Sequence, residues 1–224
     1  MRLTLLLFLF LAACGRPLTQ GETDFANSLF GPTLDTPRIR IAPFTSLDKI
    51  TETRPRRPRV TCRERIWPKP KTRTVTTHTA AFVLYHRINI SRDLYLSDYM
   101  KKYPRAMSLP AAMLIAHEMT HVWQWQHRDK TGYTPLKALN EHRIGKDPYL
   151  LNLTTKARFL DYPYEQQGAI VEEYVCCRAL DPQGARTKRL HALLKGVFPL
   201  ERLSTPRPAV YLPWKQAKIH GICS

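Results

Sequence analysis

Residues 117–121 read His-Glu-Met-Thr-His, and no other stretch restricts the fold as tightly. An α-helix advances about 100° per residue, so side chains four apart lie on one face. In a helix, His117 and His121 therefore aim their imidazoles at one point, which suits a single metal ion. Glu118 sits one step round, placed to take a proton from a water that such an ion activates. The flanks favour helix. Ser108 is a candidate N-cap, and Pro110 fits the first turn, where no intrahelical donor is lost. Ala111-Ala112-Met113-Leu114-Ile115-Ala116 enters the pentad and Val122-Trp123-Gln124-Trp125 leaves it. The helix is apolar nearly all round and is expected to be buried. Two imidazoles inside such a helix need partners, and a metal supplies one.

A catalytic zinc takes three protein ligands and keeps one position open. A second helix, expected from Pro163 to about Leu180, offers Glu165, Glu172 and Glu173. Glu165 and Glu172, seven apart, share a face with the small residues Gly168, Ala169 and Cys176. That face can approach the first helix closely, while Ile170, Val171 and Tyr174 pack on the core. Glu165 is the favoured third ligand, Glu172 and His142 are the alternatives, and Glu173 reads as solvent-facing. Cysteine is not expected to ligate, because no C-x-x-C pair is present. A donor for a tetrahedral oxyanion is not singled out; Tyr149, Tyr162, Tyr164, His142 and His191 are candidates.

H-E-x-x-H on one helix and Glu on a later one resembles the gluzincin zinc peptidases. More narrowly, His117-Glu118-Met119-Thr120-His121-Val122-Trp123-Gln124 is similar to a small bacterial envelope-associated group whose pentad continues Val-x-Gln. The second helix of that group often begins Glu-x-x-Ala followed by an acidic residue, and here Glu165-Gln166-Gln167-Gly168-Ala169 stands in its place. Gly168 is compatible, whereas Ala169 departs from the acidic position that orients a ligand His. The resemblance implies a zincin-like domain, Zn2+ held by His117, His121 and Glu165, and Glu118 as general base for peptide-bond hydrolysis. The departure at Ala169 motivates an alternative, a non-catalytic envelope lipoprotein that keeps the fold for binding or assembly.

The rest of the chain places this domain in a cell envelope. Residues 3–13 form an apolar run broken only by Thr4, about the length of a signal-peptide core and too short to span a bilayer comfortably. The run ends Leu11-Ala12-Ala13-Cys14, which resembles the bacterial lipoprotein signal. That resemblance implies residues 1–13 removed, Cys14 lipidated, residues 14–21 a tether, and residence in the outer membrane, on its periplasmic or surface face. Residues 22–224 are expected to be one α+β domain, with a short sheet and the two ligand helices packed together. Strands are predicted at Arg38–Ile41, Ala81–Tyr85 and Arg87–Ile90, and a short hairpin at Tyr149–Thr154 with Arg158–Tyr162. Further helices are predicted at Glu22–Phe30, Leu136–His142 and Gly184–Lys195, with an irregular tail beyond.

Residues 51–73 carry nine Lys and Arg against Glu52 and Glu64, with prolines interspersed. They read as an extended, solvated basic arm. With a net charge of +17, an envelope protein meets anionic lipid, lipopolysaccharide or cell-wall polymer. No nucleic-acid fold or base-stacking pattern is present. A peptide or protein substrate in the envelope and the membrane itself are the remaining partners. Four cysteines beyond Cys14 point to disulfides in an oxidising compartment. Cys62 in the arm and Cys223 in the tail are the predicted pair, because neither segment holds itself down by burial; Cys62 with Cys176 or Cys177 is the fallback.

Overall fold

The first helix begins where its donors are satisfied. The Thr19 hydroxyl accepts from the Glu22 amide, and the Glu22 carboxylate accepts from the Thr19 amide, so α1 runs Gln20–Phe30 and stops at Gly31. It therefore starts two residues before the predicted Glu22. In the computed structural model, residues 15–45, 51–142, 147–150, 158–200, 202–203 and 208–224 are described. Cys14, the predicted lipid site, and residues 151–157 of the predicted hairpin lie outside them.

After α1 the chain forms β1 (Arg40–Phe44), β2 (Thr51–Pro55), α2 (Cys62–Arg65), β3 (Thr74–His78), β4 (Ala81–Leu84) and β5 (Arg87–Ser91). There follow β6 (Ala106–Ser108), α3 (Leu109–Gln126), α4 (Arg128–Thr131), α5 (Pro135–Leu139), α6 (Tyr164–Leu180), α7 (Ala185–Lys195) and β7 (Ala209–Tyr211). The class is α+β, as expected. The main sheet has the order β1-β5-β4, with β1 parallel and β4 antiparallel to β5. Ile41, Val83, Ile88 and Ile90 are buried, and α3 lies against β4 and β5. α3 has Pro110 in its first turn and Ser108 at its N-cap position, though the Ser108 hydroxyl makes no cap bond. α6 packs along α3, and both are buried over most of their length.

Several further expectations are corrected. Residues 158–162 do not form a strand: Phe159–Asp161 is a 3-10 turn, closed by Asp161 accepting from the Arg158 amide and guanidinium. The tail is not wholly irregular, because β7 pairs in parallel with β6, at the base of α3. Residues 15–21, read as a tether, carry no slack. Arg16 exchanges two backbone bonds with Ile41, both 2.8 Å, and its guanidinium grips Glu22 at 2.7 Å.

The arm, 51–73, is likewise folded, although much of it remains exposed. β2 and β3 pair antiparallel, and between them Cys62 and Ile66 are fully buried. Several of its arginines are spent internally: Arg57 on Asp147 and Glu64, Arg59 on the carbonyls of Glu64, Arg65 and Trp67, and Arg65 on the Ile222 carbonyl; Arg56, Lys69, Lys71 and Arg73 are exposed. Composition alone could not show those internal bonds, because Asp147 and Ile222 come from elsewhere in the fold and the other partners meet only once the arm turns back on itself.

The predicted Cys62–Cys223 disulfide is replaced by two others, Cys62–Cys176 and Cys177–Cys223, with Cα separations of 5.9 and 5.7 Å. Adjacent helix residues point about 100° apart, so Cys176 and Cys177 each reach a different neighbour. The arm and the tail do meet, since the sulfurs of Cys62, Cys177 and Cys223 lie within 4.8 Å of one another. Both are tied to α6 instead of to each other. On the chain-entropy model, loops of 114 and 46 residues make each bond worth about 4–5 kcal/mol.

Candidate metal centre

His117 and His121 project from α3 toward α6, and the Glu165 side chain meets them from the first turn of α6. The Nε2 atoms of the two imidazoles are 3.2 Å apart. Glu165 Oε2 lies 3.2 Å from His117 Nε2 and 3.4 Å from His121 Nε2. Bonds of 2.0–2.1 Å in a tetrahedron put neighbouring ligand atoms about 3.3–3.4 Å apart. The three atoms thus form one face of such a tetrahedron, and all three side chains are buried. This group could hold a metal ion.

Each ligand is oriented from behind. Gln124, one turn beyond His121, donates its amide to the Tyr164 carbonyl (3.1 Å) and to Gln167 Oε1 (3.0 Å). Gln167 in turn donates to the Tyr162 carbonyl at 2.7 Å. Gln124 Oε1 is therefore the atom 2.8 Å from His121 Nδ1. An amide oxygen only accepts, so Nδ1 carries the proton and Nε2 keeps its lone pair for a metal. Replacing Gln124 with Leu leaves Nδ1 without an acceptor. Zinc titration of Gln124→Leu is expected to give about 10–100-fold weaker binding, and unchanged affinity would reject this orienting role.

On the other imidazole, Glu172 Oε2 lies 3.5 Å from His117 Nδ1 and accepts from Arg63 Nη1 at 2.8 Å. Glu172, an alternative for third ligand, thus stands behind His117 rather than beside Glu165. It occupies the orienting role left open at Ala169, from almost a turn further along α6. The carboxylate of Glu172 is held down to about 2; burial opposes this, and the nearby Arg63 and His117 outweigh it. Burial likewise disfavours charge on His117 and on Glu165. The carboxylate–imidazole contacts outweigh it, pushing His117 up to about 10 and holding Glu165 well below the usual carboxylate range.

α6 is positioned by contacts at both ends. Glu141 accepts from the Tyr164 and Glu165 amides, both 2.9 Å, and so caps the helix start. Further along, Glu173 is fully buried, not solvent-facing as expected. Its carboxylate accepts from the Cys62 and Arg63 amides and from Arg186, so α2 and α7 both dock on it. Between them, Gly168 faces the His117 ring directly. A Cβ there would sit 2.7 Å from both Cε1 and Nε2 of His117. Glycine costs roughly 1 kcal/mol in a helix interior, and here it is what lets α6 come close enough to deliver Glu165.

Glu118 is buried beside the two ligands, and among the described residues its Oε2 has no hydrogen-bond partner. Burial pushes this carboxyl up, with His117 and His121 opposing. The remaining wall is aromatic and imidazole. His142 Nε2 lies 3.1 Å from Glu165 Oε1, the carboxylate atom turned away from the imidazole pair. The Tyr149 ring packs 5.7 Å from His117 and 5.6 Å from His142, centroid to centroid. Tyr133, absent from the sequence candidates, stacks on His121 at 5.9 Å.

Of the other donor candidates, Tyr164 gives its hydroxyl to the Thr131 carbonyl and His191 bonds Tyr174. Tyr162 contributes its carbonyl to the Gln167 relay. Arg63 escaped the sequence reading because it lies far from every ligand in sequence, and Gln167, although two residues from Glu165, because its role depends on the cross-helix contact with Gln124. Gln124 was legible only as part of the extended pentad.

No known protein-family model matches the chain, and no curated protein matches it in sequence. Among solved structures it is similar to the effector domain of Pseudomonas aeruginosa VgrG2b, with a TM-score of 0.51 and 22% identity over 84% of this chain and 86% of that one. At that identity the likeness concerns the fold.

Proposed function

We propose that the protein is a zinc-dependent peptidase of the bacterial envelope, lipid-anchored through Cys14 in the outer membrane. The observation that carries the catalytic part is the buried, unbonded Glu118 carboxylate oxygen beside a three-atom metal face. A site that only stabilised the fold would have no use for such a group, whose burial without a partner costs about 1–3 kcal/mol. Two imidazole nitrogens and one carboxylate oxygen match zinc, and the short separations disfavour calcium, which takes six to eight oxygens at longer range.

Zinc held by His117, His121 and Glu165 would supply Lewis acidity toward a substrate carbonyl and a water. The residues do the rest. Glu118 takes the proton of the attacking water and passes it to the leaving amine. Gln124 and Glu172 keep the two imidazoles in the ligating tautomer. His142 and Tyr149 face the same point and are the nearest candidates to donate to the oxygen that gains charge. The substrate class is a peptide bond in an envelope protein or cell-wall peptide. Two disulfides fit an oxidising compartment, and the fold neighbour's description as an effector domain is compatible with work outside the cytoplasm. The non-catalytic alternative drew on Ala169 and on the lack of a singled-out oxyanion donor; Glu172 standing behind His117 answers the first, and His142 and Tyr149 are candidates for the second.

The test is a pair of variants. His117→Ala is expected to purify without zinc, read by elemental mass spectrometry. Glu118→Gln removes a base but no ligand; it should keep zinc and lose about 10²–10⁴-fold in hydrolysis of a quenched-fluorescence peptide library. A Glu118→Gln protein as active as the parent would end the mechanism, and full zinc content in His117→Ala would end the metal assignment.

A further inference from the structure

The folded chain begins at its very first described residues. Gly15 is the last residue before the backbone bonds of Arg16 to Ile41. It adopts φ +57°, and a Cβ on it would lie 2.9 Å from the Ile41 carbonyl oxygen and 3.2 Å from the Ala42 Cβ. The residue after Cys14 is thus pressed onto β1. One residue spans at most about 3.6 Å, so a lipid on Cys14 would leave the domain no freedom to choose which side meets the bilayer. That side is fixed by where Gly15 sits.

Around that point the surface carries apolar side chains together with Arg92, Arg40 and the exposed Asp93. In β4, Val83 is buried while Phe82 and Leu84 alternate outward and are 38% and 45% exposed. By the strand register, Ala42, Asn89 and Phe82 lie on one side of the sheet, as do Arg40, Arg87 and Leu84. Gly15 therefore lies against the same side of the sheet as Phe82. The next loop carries Leu94 and Leu96, both exposed. Its backbone is tied to both landmarks: the Leu96 carbonyl accepts from Arg16 at 3.1 Å, and the Arg92 amide donates to the Phe44 carbonyl at 3.2 Å. The Phe44 ring in turn packs on Phe82 at 5.0 Å. Arg92 is exposed and Arg40 half-buried at this rim. No helix among the described residues is long and apolar enough to cross a membrane.

We infer that the patch formed by Phe82, Leu84, Leu94 and Leu96, on the side of the sheet against which Gly15 lies, is the surface by which the domain lies on the lipid bilayer, its apolar side chains in the interface and Arg92 against anionic headgroups. This rests on the lipidation of Cys14 proposed above. It assigns the membrane contact to this rim; in the arm Arg57, Arg59, Arg63 and Arg65 are engaged inside the fold, while Arg56, Lys69, Lys71 and Arg73 are exposed.

The experiment uses the full chain, exported and processed in a bacterial host. Leu84→Cys carries a nitroxide label, and Leu136→Cys, an exposed position on α5, serves as reference. The protein is placed in vesicles of phosphatidylcholine with phosphatidylglycerol. Mass spectrometry first reads acylation of Cys14; an unmodified Cys14 overturns the premise. With Cys14 acylated, the Leu84 label should be shielded from a water-soluble relaxation agent and the Leu136 label should not. Equal accessibility of the two labels overturns the docking face. So does shielding of Leu84 without vesicles at doubled sedimentation mass, which would assign the patch to a second copy of the chain. In the soluble Cys14→Ser protein, joint replacement of Phe82, Leu84 and Leu96 by Ser should weaken binding to these vesicles roughly tenfold or more. Unchanged partitioning would also overturn it.

Discussion

Gly168→Ala is expected to cost the protein its metal while leaving the fold in place. The added methyl would sit 2.7 Å from Cε1 and Nε2 of His117, closer than carbon approaches carbon or nitrogen in any packed interior. The ring cannot retreat, because Glu172 stands on its far side and Tyr149 packs against it. Relief must come from α6 moving off α3, which withdraws Glu165 from the imidazole pair. Zinc affinity should fall on the order of a hundredfold or more, since sub-ångström placement decides metal sites. Helix propensity works in the opposite direction, favouring Ala by about 1 kcal/mol, so a loss cannot be blamed on a weakened helix. Gly196→Ala, beyond the end of α7, meets only the Leu193 carbonyl at 3.4 Å and should bind zinc like the parent. A Gly168→Ala protein that titrates zinc normally would mean that the helices stand further apart than described.

Opening the Cys62–Cys176 bond is expected to weaken the metal site from a distance. The bond holds α2 against α6, and α2 brings Arg63 to two places at once: Glu172 at 2.8 Å and the Tyr149 carbonyl at 3.2 Å. Arg57 reinforces the second contact by gripping Asp147, whose carboxylate accepts from the Tyr149 amide. Loss of the arm therefore removes the support behind His117 and loosens the Tyr149 wall together. Cys176→Ser should lower stability by about 4–5 kcal/mol on the chain-entropy model and weaken zinc binding about 10–100-fold. Arg63→Leu separates the two effects, because both disulfides stay closed. It should reproduce most of the zinc defect and leave a buried Glu172 without its main counter-charge. If Arg63→Leu binds zinc as tightly as the parent, the arm serves stability alone.

The two helices that matter were readable from local pattern. Pro110 and the apolar run after it mark the start of α3, Pro163 marks α6, and a repeat of four puts His117 and His121 on one face. Seven-residue spacing likewise put Glu165 and Glu172 on one face of α6, but spacing could not say which of them reaches the ion. That depends on how far along α6 the α3 helix crosses, a long-range quantity set by Gly168, the Glu141 cap and the disulfides. Burial of Glu173 was missed for the same reason: its partners are amides of residues more than a hundred positions away.

By itself, then, the sequence determined what repeats at short range: helix, helix face, the strands predicted at Ala81–Tyr85 and Arg87–Ile90 and found at Ala81–Leu84 and Arg87–Ser91, and the pairing of two imidazoles with a neighbouring carboxyl. Backbone periodicity carries that information within one or two turns. Only the tertiary structure decided the cysteine partners, the folding of the arm, and the chain Arg63–Glu172–His117. Charge and composition are the same whether an arginine faces water or a buried carboxylate. The direction of each side chain in space, set by packing between distant elements, is what separates the two.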